Sequence, residues 1–375
     1  MKRDPVEFLK HMLEIYSPSG KEEKLSSFLA EELRTLGFEE VWKDEAGNVY
    51  GAVGKGSPIV LMCGHMDTVP GEIPVKVKNG RLYGRGAVDA KSSLAAMILA
   101  AANLKNRLLK IGGRIIVAGV VDEEGGGRGI KQLIREGLKV DYAFFGEPSG
   151  IGNITFAYKG HMLLKIEFKT VSGHVGAQHL LSNAIEEAMK FWSELKNLCE
   201  QKYKSPFGIF YSLTPSIIEI KSLRTMGGTP DLCTIGVDLR LPPKIKCEKA
   251  VKIVEEIVES FRKENPKTTV RFRVISQVEP YVANRSNPVI RALREAIFEE
   301  TGREARLIRK TGTGDMNIFG SFFNVPVATY GPGNSILSHS PNEYVEISEY
   351  LKSIEIYKKA VEKVISGSLG ANKSR

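Results

Sequence analysis

The stretch RIIVAGVVDEEGGGRG, residues 114–129, runs a continuous apolar segment into Asp122, Glu123 and Glu124, then into three glycines and an arginine. A β-branched run without polar alternation is the pattern of a strand buried on both faces. Residues 58–63 (PIVLMC) read the same way, and AKSSLAAMILAAANLKNRLL, about residues 90–109, lies between the two as a helix. Strand, helix, strand in that order predicts a parallel or mixed sheet with helices on its faces.

Toward the N-terminus, Asp4 before Pro5 marks a helix start; Phe8, Leu9, Met12 and Leu13 give its apolar stripe, and Ser17-Pro18-Ser19-Gly20 ends it. A second helix follows over about residues 21–36. Past residue 157 the pattern changes to strand (161–170), helix (about 180–199), strand (about 215–221), strand (231–240), helix (about 247–264) and strand (268–275). This β-α-β-β-α-β order is ferredoxin-like. Signals of the first kind return from residue 276. The expected fold is α/β: a mixed, mostly parallel sheet flanked by helices in a discontinuous domain, 1–157 and 276–375, with an inserted α+β domain at 158–275.

With 375 residues, 42% hydrophobic and 26% charged, the chain can bury a sizeable core. Cys63, Cys199, Cys233 and Cys247 are far apart and form no C-x-x-C, so reduced thiols are expected. The opening MKRDPVEFLKHMLEIYSPSG lacks a signal-peptide apolar core, and no window approaches the ~20 apolar residues of a membrane span. The expectation is a cytoplasmic protein with no membrane partner. A net charge of +9 calls for an acidic partner, yet the basic residues are interspersed with acidic ones and form no aromatic-interleaved patch, which argues against nucleic acid.

Chemistry-bearing residues gather where the apolar runs end, the usual place for sites on open α/β sheets. His65 and Asp67 in LMCGHMDTVPG stand two apart, a spacing at which a carboxylate can orient a metal-binding imidazole; a core histidine beside a capping aspartate is the plainer reading. Asp89 in GRGAVDAKSS precedes the long helix and could simply cap it. Glu123 and Glu124, if extended, point in opposite directions, so one could ligate a metal while the other approaches the metal-bound water. A pair of surface charges before a glycine turn is the alternative. Glu147 in FFGEPSG and His339 in YGPGNSILSHSPNEY complete a set of two imidazoles and several carboxylates that suits two Zn²⁺ ions sharing a bridging carboxylate.

The succession GHMDTVPG, GRGAVDAKSSLAAM, VVDEEGGGRG, GEPSG, SGHVGAQH and SHSPNEYV resembles, over essentially the whole chain, the di-zinc amidohydrolases that include acetylornithine deacetylase, succinyl-diaminopimelate desuccinylase and carboxypeptidase G. The resemblance implies that His65 and Glu147 hold one zinc and Glu124 and His339 the other, with Asp89 bridging. It makes Glu123 the general base and Asp67 the residue that orients His65. It also implies that the inserted domain is a lid and homodimer interface, that His174 steadies the oxyanion in the partner's site, and that Arg240 pairs with a substrate carboxylate. Gly227 stands where the family usually has asparagine. His11, His161 and His179 match nothing and are taken as structural.

LIRKTGTGDMNIFG and YGPGNSILSHSPNEY look most like the subgroup that releases lysine or ornithine from an acidic amino-group carrier protein, the LysW-lysine/ornithine hydrolases of lysine and arginine biosynthesis. Such a substrate accords with the positive balance. Asp315 and Glu343, in these loops, are candidates for recognising the ammonium of the released amino acid, or equally for supporting and capping roles. The same ligands accept Zn²⁺ or Co²⁺. The rival substrates are free N-acetylornithine, N-acetyl-lysine or succinyl-diaminopimelate, then dipeptides and acylated amino acids; a silent binding module would have no use for Glu123.

Overall fold

The computed structural model describes residues 3–223 and 228–372; Gly227 lies outside them. The chain divides into two compact units, Met1–Phe156 with Ala283–Ile308 and Gly314–Arg375, and Ala157–Val282 with Arg309–Thr313.

The first unit opens with α1 (Pro5–Glu14), whose N-cap Asp4 accepts the N–H groups of Val6 and Glu7, and α2 (Glu23–Thr35). Strands β1 (Glu40–Lys43), β2 (Val49–Lys55) and β3 (Ile59–His65) follow, then the short β4 (Lys76–Lys78) and β5 (Arg81–Tyr83). Helix α3 (Lys91–Ile111), strand β6 (Gly113–Val120), helix α4 (Arg128–Arg135), β7 (Tyr142–Gly146) and β8 (Asn153–Tyr158) complete this stretch. The quoted apolar run is β6, buried almost throughout because strands cover both edges and helices both faces.

In the second unit β9 (Gly160–Lys169), α5 (Ala184–Lys202), β10 (Thr214–Leu223), β11 (Leu232–Leu241), α6 (Cys247–Glu264) and β12 (Thr269–Val278) precede β13 (Tyr281–Val282). The sheet order is β10-β11-β9-β12, antiparallel throughout. One face of the sheet is buried under α5 and α6, whose Phe191 and Phe261 meet Phe168 edge-on. Along β9, burial alternates strictly, as a sheet with one covered face requires. This is the ferredoxin-like arrangement.

The chain re-enters the first unit with α7 (Pro288–Thr301), β14 (Arg306–Lys310), whose last two residues belong to the second unit, α8 (Asp315–Phe322), β15 (Val327–Tyr330), β16 (Tyr344–Glu346) and α9 (Ile347–Asn372). The large sheet runs β1-β2-β6-β3-β7-β15-β8-β13. Its centre, β6-β3-β7-β15, is parallel, and the strands outside that centre pair antiparallel. The mixed α/β sheet is therefore parallel where it carries the site. The central strands β3, β6 and β7 end together at His65, Val120 and Gly146, so the loops beyond them open at one edge. Among the described residues no helix is long and apolar enough to cross a membrane, and all four cysteines are buried free thiols.

Candidate metal centre

His65 is the last residue of β3, 1% exposed, with Nδ1 2.9 Å from the Asp67 carbonyl oxygen and 3.5 Å from Asp67 Oδ1. Its Nε2 faces Asp89 Oδ1 at 3.3 Å and Glu147 Oε1 at 3.5 Å. On the other side of Asp89, Oδ2 lies 3.4 Å from His339 Nε2, which in turn is 2.8 Å from Glu124 Oε1. One carboxylate thus has an oxygen turned to each imidazole, and each imidazole has a glutamate of its own. The N-cap position of the helix after Asp89 is Ala90.

Glu123 lies in the same cluster. Its carboxylate, His65 and Glu147 have donor atoms within 4.8 Å of one another, as do His65, Asp89 and Glu124. The two glutamates are not extended: β6 ends at Val120, and residues 123–126 form a turn. The strand breaks because Asp122 takes a left-handed φ of 62° and its Oδ2 accepts the N–H groups of Gly126 and Arg128. A Cβ at Gly125 would collide with Asp122 Oδ1, and Gly127 has φ of 66°, which accounts for two of the three glycines. Asp67 then fixes the turn: Oδ1 accepts Glu123 N–H and Oδ2 accepts Glu124 N–H, both at 3.0 Å, and Ser19 donates to Oδ2 at 2.6 Å.

Glu343 is fully buried and engages both its oxygens. Oε1 accepts the N–H groups of Val88 at 2.8 Å and Asp89 at 3.0 Å, and Oε2 accepts Arg85 Nη1 at 2.9 Å. Arg85 also donates to Ser340 O, next to His339, and to Gly71 O beyond Asp67. A single buried pair therefore ties the loops of Asp67, Asp89 and His339 together. Asp315 is the first residue of α8 and is buried. Burial, with the charges of Asp67 and Asp122, pushes its carboxyl up to about 7.

Acids outnumber imidazoles here, and the proton affinities show it. Burial first and the charge of Glu147 next raise Glu123 well above the ordinary carboxylate range. Burial works against a charged His65, but hydrogen bonds to Asp67 and Asp89 outweigh it and raise its pKa well above normal. Asp89 and then Glu124 lift His339 to about 10. An anionic cluster of imidazole nitrogens and carboxylate oxygens, with His65 buried and His339 half exposed, fits hard or borderline divalent cations.

Residues 61–363 match the model of peptidase family M20/M25/M40. The chain belongs to this family. A Pyrococcus furiosus protein provisionally named a LysW-lysine/LysW-ornithine hydrolase is 36% identical over 361 residues, covering 96% of each chain. A Deinococcus radiodurans protein named LysW-lysine hydrolase is 30% identical over 363 residues, covering 96% of this chain and 97% of the relative. A tripeptidase of Staphylococcus aureus has the same fold, with a TM-score of 0.82, 21% identity and coverage of 97% of this chain and 99% of its own. As an M20/M25/M40 member, the chain is a metal-dependent amide hydrolase.

His174 and Arg240 belong to the second unit. His174 is exposed, and its Nδ1 accepts the N–H of Gly176 at 3.0 Å, which leaves the proton of the neutral ring on Nε2. Arg240, on β11, points its Nε at Asp238 Oδ1, 2.9 Å away, and Asp238 Oδ2 meets His161 Nδ1 at 3.0 Å. Sequence reading passed over Arg85, Ser19 and Lys91. Lys91 is 1% exposed and donates to the Met12 and Ile15 carbonyls at the end of α1. A lysine among the small and apolar residues that open α3 was its signal, and GRG was the signal of Arg85.

Proposed function

We propose that this chain is a di-metal hydrolase that releases lysine or ornithine from an acidic amino-group carrier protein, cleaving the amide between a carrier glutamate side chain and the amino acid. The observation that carries the two-metal part is Asp89, with one oxygen facing His65 and the other His339. In this reading His65 and Glu147 hold one Zn²⁺ and His339 and Glu124 the other, with Asp89 serving both; Co²⁺ suits the same donors. Bound there, the cations supply Lewis acidity that makes water acidic near neutral pH and polarises the amide carbonyl.

The remaining roles fall to the chain's own residues. Glu123 takes the water proton at its carboxylate and hands it to the nitrogen of the departing amine. Asp67 holds Glu123 and Glu124 by their backbones and His65 by its ring. Arg240, its Nε anchored by Asp238, offers its fork to the substrate carboxylate. His174 Nε2–H donates to the oxyanion of a partner subunit's site. Glu343 and Asp315, both buried, support the site rather than receive the ammonium.

A homodimer accords with β10, an edge strand that exposes Ile218 at 59% and Ile220 at 50%. The carrier substrate is supported by the names of the relatives and by the +9 charge; four unpaired buried thiols accord with the cytoplasm. Back-titration of chelator-stripped protein tests the metal assignment: amino-acid release returns fully only at two equivalents of Zn²⁺ per chain. Full activity at one equivalent contradicts it.

A further inference from the structure

Between α5 and β10 the second unit presents KSPFGIFYSL, residues 204–213, a loop whose tip is apolar and open to water. Phe207 is 83% exposed, Ile209 64% and Tyr211 37%. The loop is held in place from beneath. Lys159, fully buried, donates to the carbonyls of Ile209 at 3.1 Å and Ser212 at 2.6 Å and to Thr214 Oγ1 at 2.8 Å. Leu213 N–H closes the base on Tyr203 O, and Ser205 N–H donates to Ser212 Oγ. Arg309, exposed, lies over the rings of Phe210 and Tyr211 at 5.8 and 5.4 Å and donates to the Tyr211 hydroxyl.

A loop held by these hydrogen bonds that keeps a phenylalanine and an isoleucine in water is poorly explained by folding, because burying either would stabilise the chain. Contiguous exposed apolar groups rimmed by charge mark a contact surface. The charges nearest the tip in sequence are basic. Lys202, Lys204 and Arg309 flank the tip, and residues 201–218 contain no acid. The loop also runs directly into Thr214, whose partner across the sheet is Arg240, the residue read above as the receiver of the substrate carboxylate.

We propose that the Phe207–Tyr211 tip and Arg309 form a docking surface for the acidic carrier protein, taking an apolar side chain of the carrier between Phe207 and Ile209 while its carboxylates meet Arg309, Lys202 and Lys204. A second copy meeting the loop tip to tip would bring the same cations against each other, and a second copy seated here in any other way is the outcome that a change of oligomeric state reports. The proposal rests on the carrier reading of the substrate.

The test compares the unaltered enzyme with a Phe207→Ser/Ile209→Ser double variant and with Arg309→Glu, on carrier-linked lysine and on the small amide γ-glutamyl-lysine, with the oligomeric state followed by light scattering. Both positions of the double variant are exposed, so its folding is retained. The expected result is a KM for the carrier conjugate raised about tenfold or more in each variant, the loss of a hot-spot contact, with kcat, the kinetics on the small amide and the oligomeric state unchanged. Unchanged KM on the conjugate, equal losses on both substrates, or a change of oligomeric state in place of the KM change overturns the docking surface alone. Failure of the unaltered enzyme to cleave the conjugate overturns the carrier reading, and the surface with it.

Discussion

At Asp67 the two carboxylate oxygens divide their work between the backbones of Glu123 and Glu124, while the residue also faces His65. Neighbouring glutamates can then do different things from one turn: Glu124 lies against His339, and Glu123 stays near His65 and Glu147. Changing Glu123 to Gln keeps size and hydrogen bonding but removes the proton acceptor. Turnover should fall by about 10²–10⁴-fold while the metal content measured by elemental analysis stays that of the unaltered protein. Near-normal turnover would remove Glu123 from its role. That these residues would gather could be read from the sequence, because they lie at the ends of apolar runs or in the polar loops beyond them. Their conformations could not: an extended Glu123-Glu124 pair was expected, and the turn arises from Asp122, whose carboxylate captures backbone N–H groups that a strand would have used.

The elements that set the site are long-range pairs, and these leave little trace in a local pattern. The parallel centre of the sheet was legible, since β3 and β6 are unbroken apolar runs with a helix between them. Arg85 and Glu343 were not legible as a pair, being 258 positions apart. Glu343→Gln replaces an oxygen acceptor and loosens the loops of Asp89 and His339 together. Metal affinity measured by chelator competition should weaken about 10–100-fold, whereas a loss of activity at unchanged affinity would speak against a supporting role. In the second unit Lys159 holds the 204–213 loop, and burial first, then the charge of Arg240, lowers its pKa to about 8. An unfolded lysine titrates near ~10.4, so between these values the unfolded chain binds more protons and stability climbs with pH. Relative to Lys159→Met, the unaltered protein should therefore gain in urea midpoint between about pH 8 and 10, a gain read as a difference because the four buried thiols, raised by burial, lower the stability of both proteins over the same range. At neutral pH the stability of Lys159→Met should be lower by about 1–3 kcal/mol.

For the whole molecule, two features of the proposal demand more than one chain. If His174 serves the partner's site, mixing Glu123→Gln with His174→Ala subunits, each inactive alone, restores partial activity, because one site of the mixed dimer has both groups. No recovery under verified subunit exchange counts against action across the dimer. The +9 charge adds a rate effect: kcat/KM for an acidic carrier conjugate should fall with rising salt, and that for a small neutral amide should hardly move. The most direct measurement is amino-acid release by the metal-loaded protein from carrier-linked lysine and ornithine, beside N-acetyl-lysine and N-acetylornithine at equal concentration. Strong preference for the carrier conjugates is predicted; preference for the acetylated amino acids would contradict the carrier as substrate while leaving the metal chemistry in place.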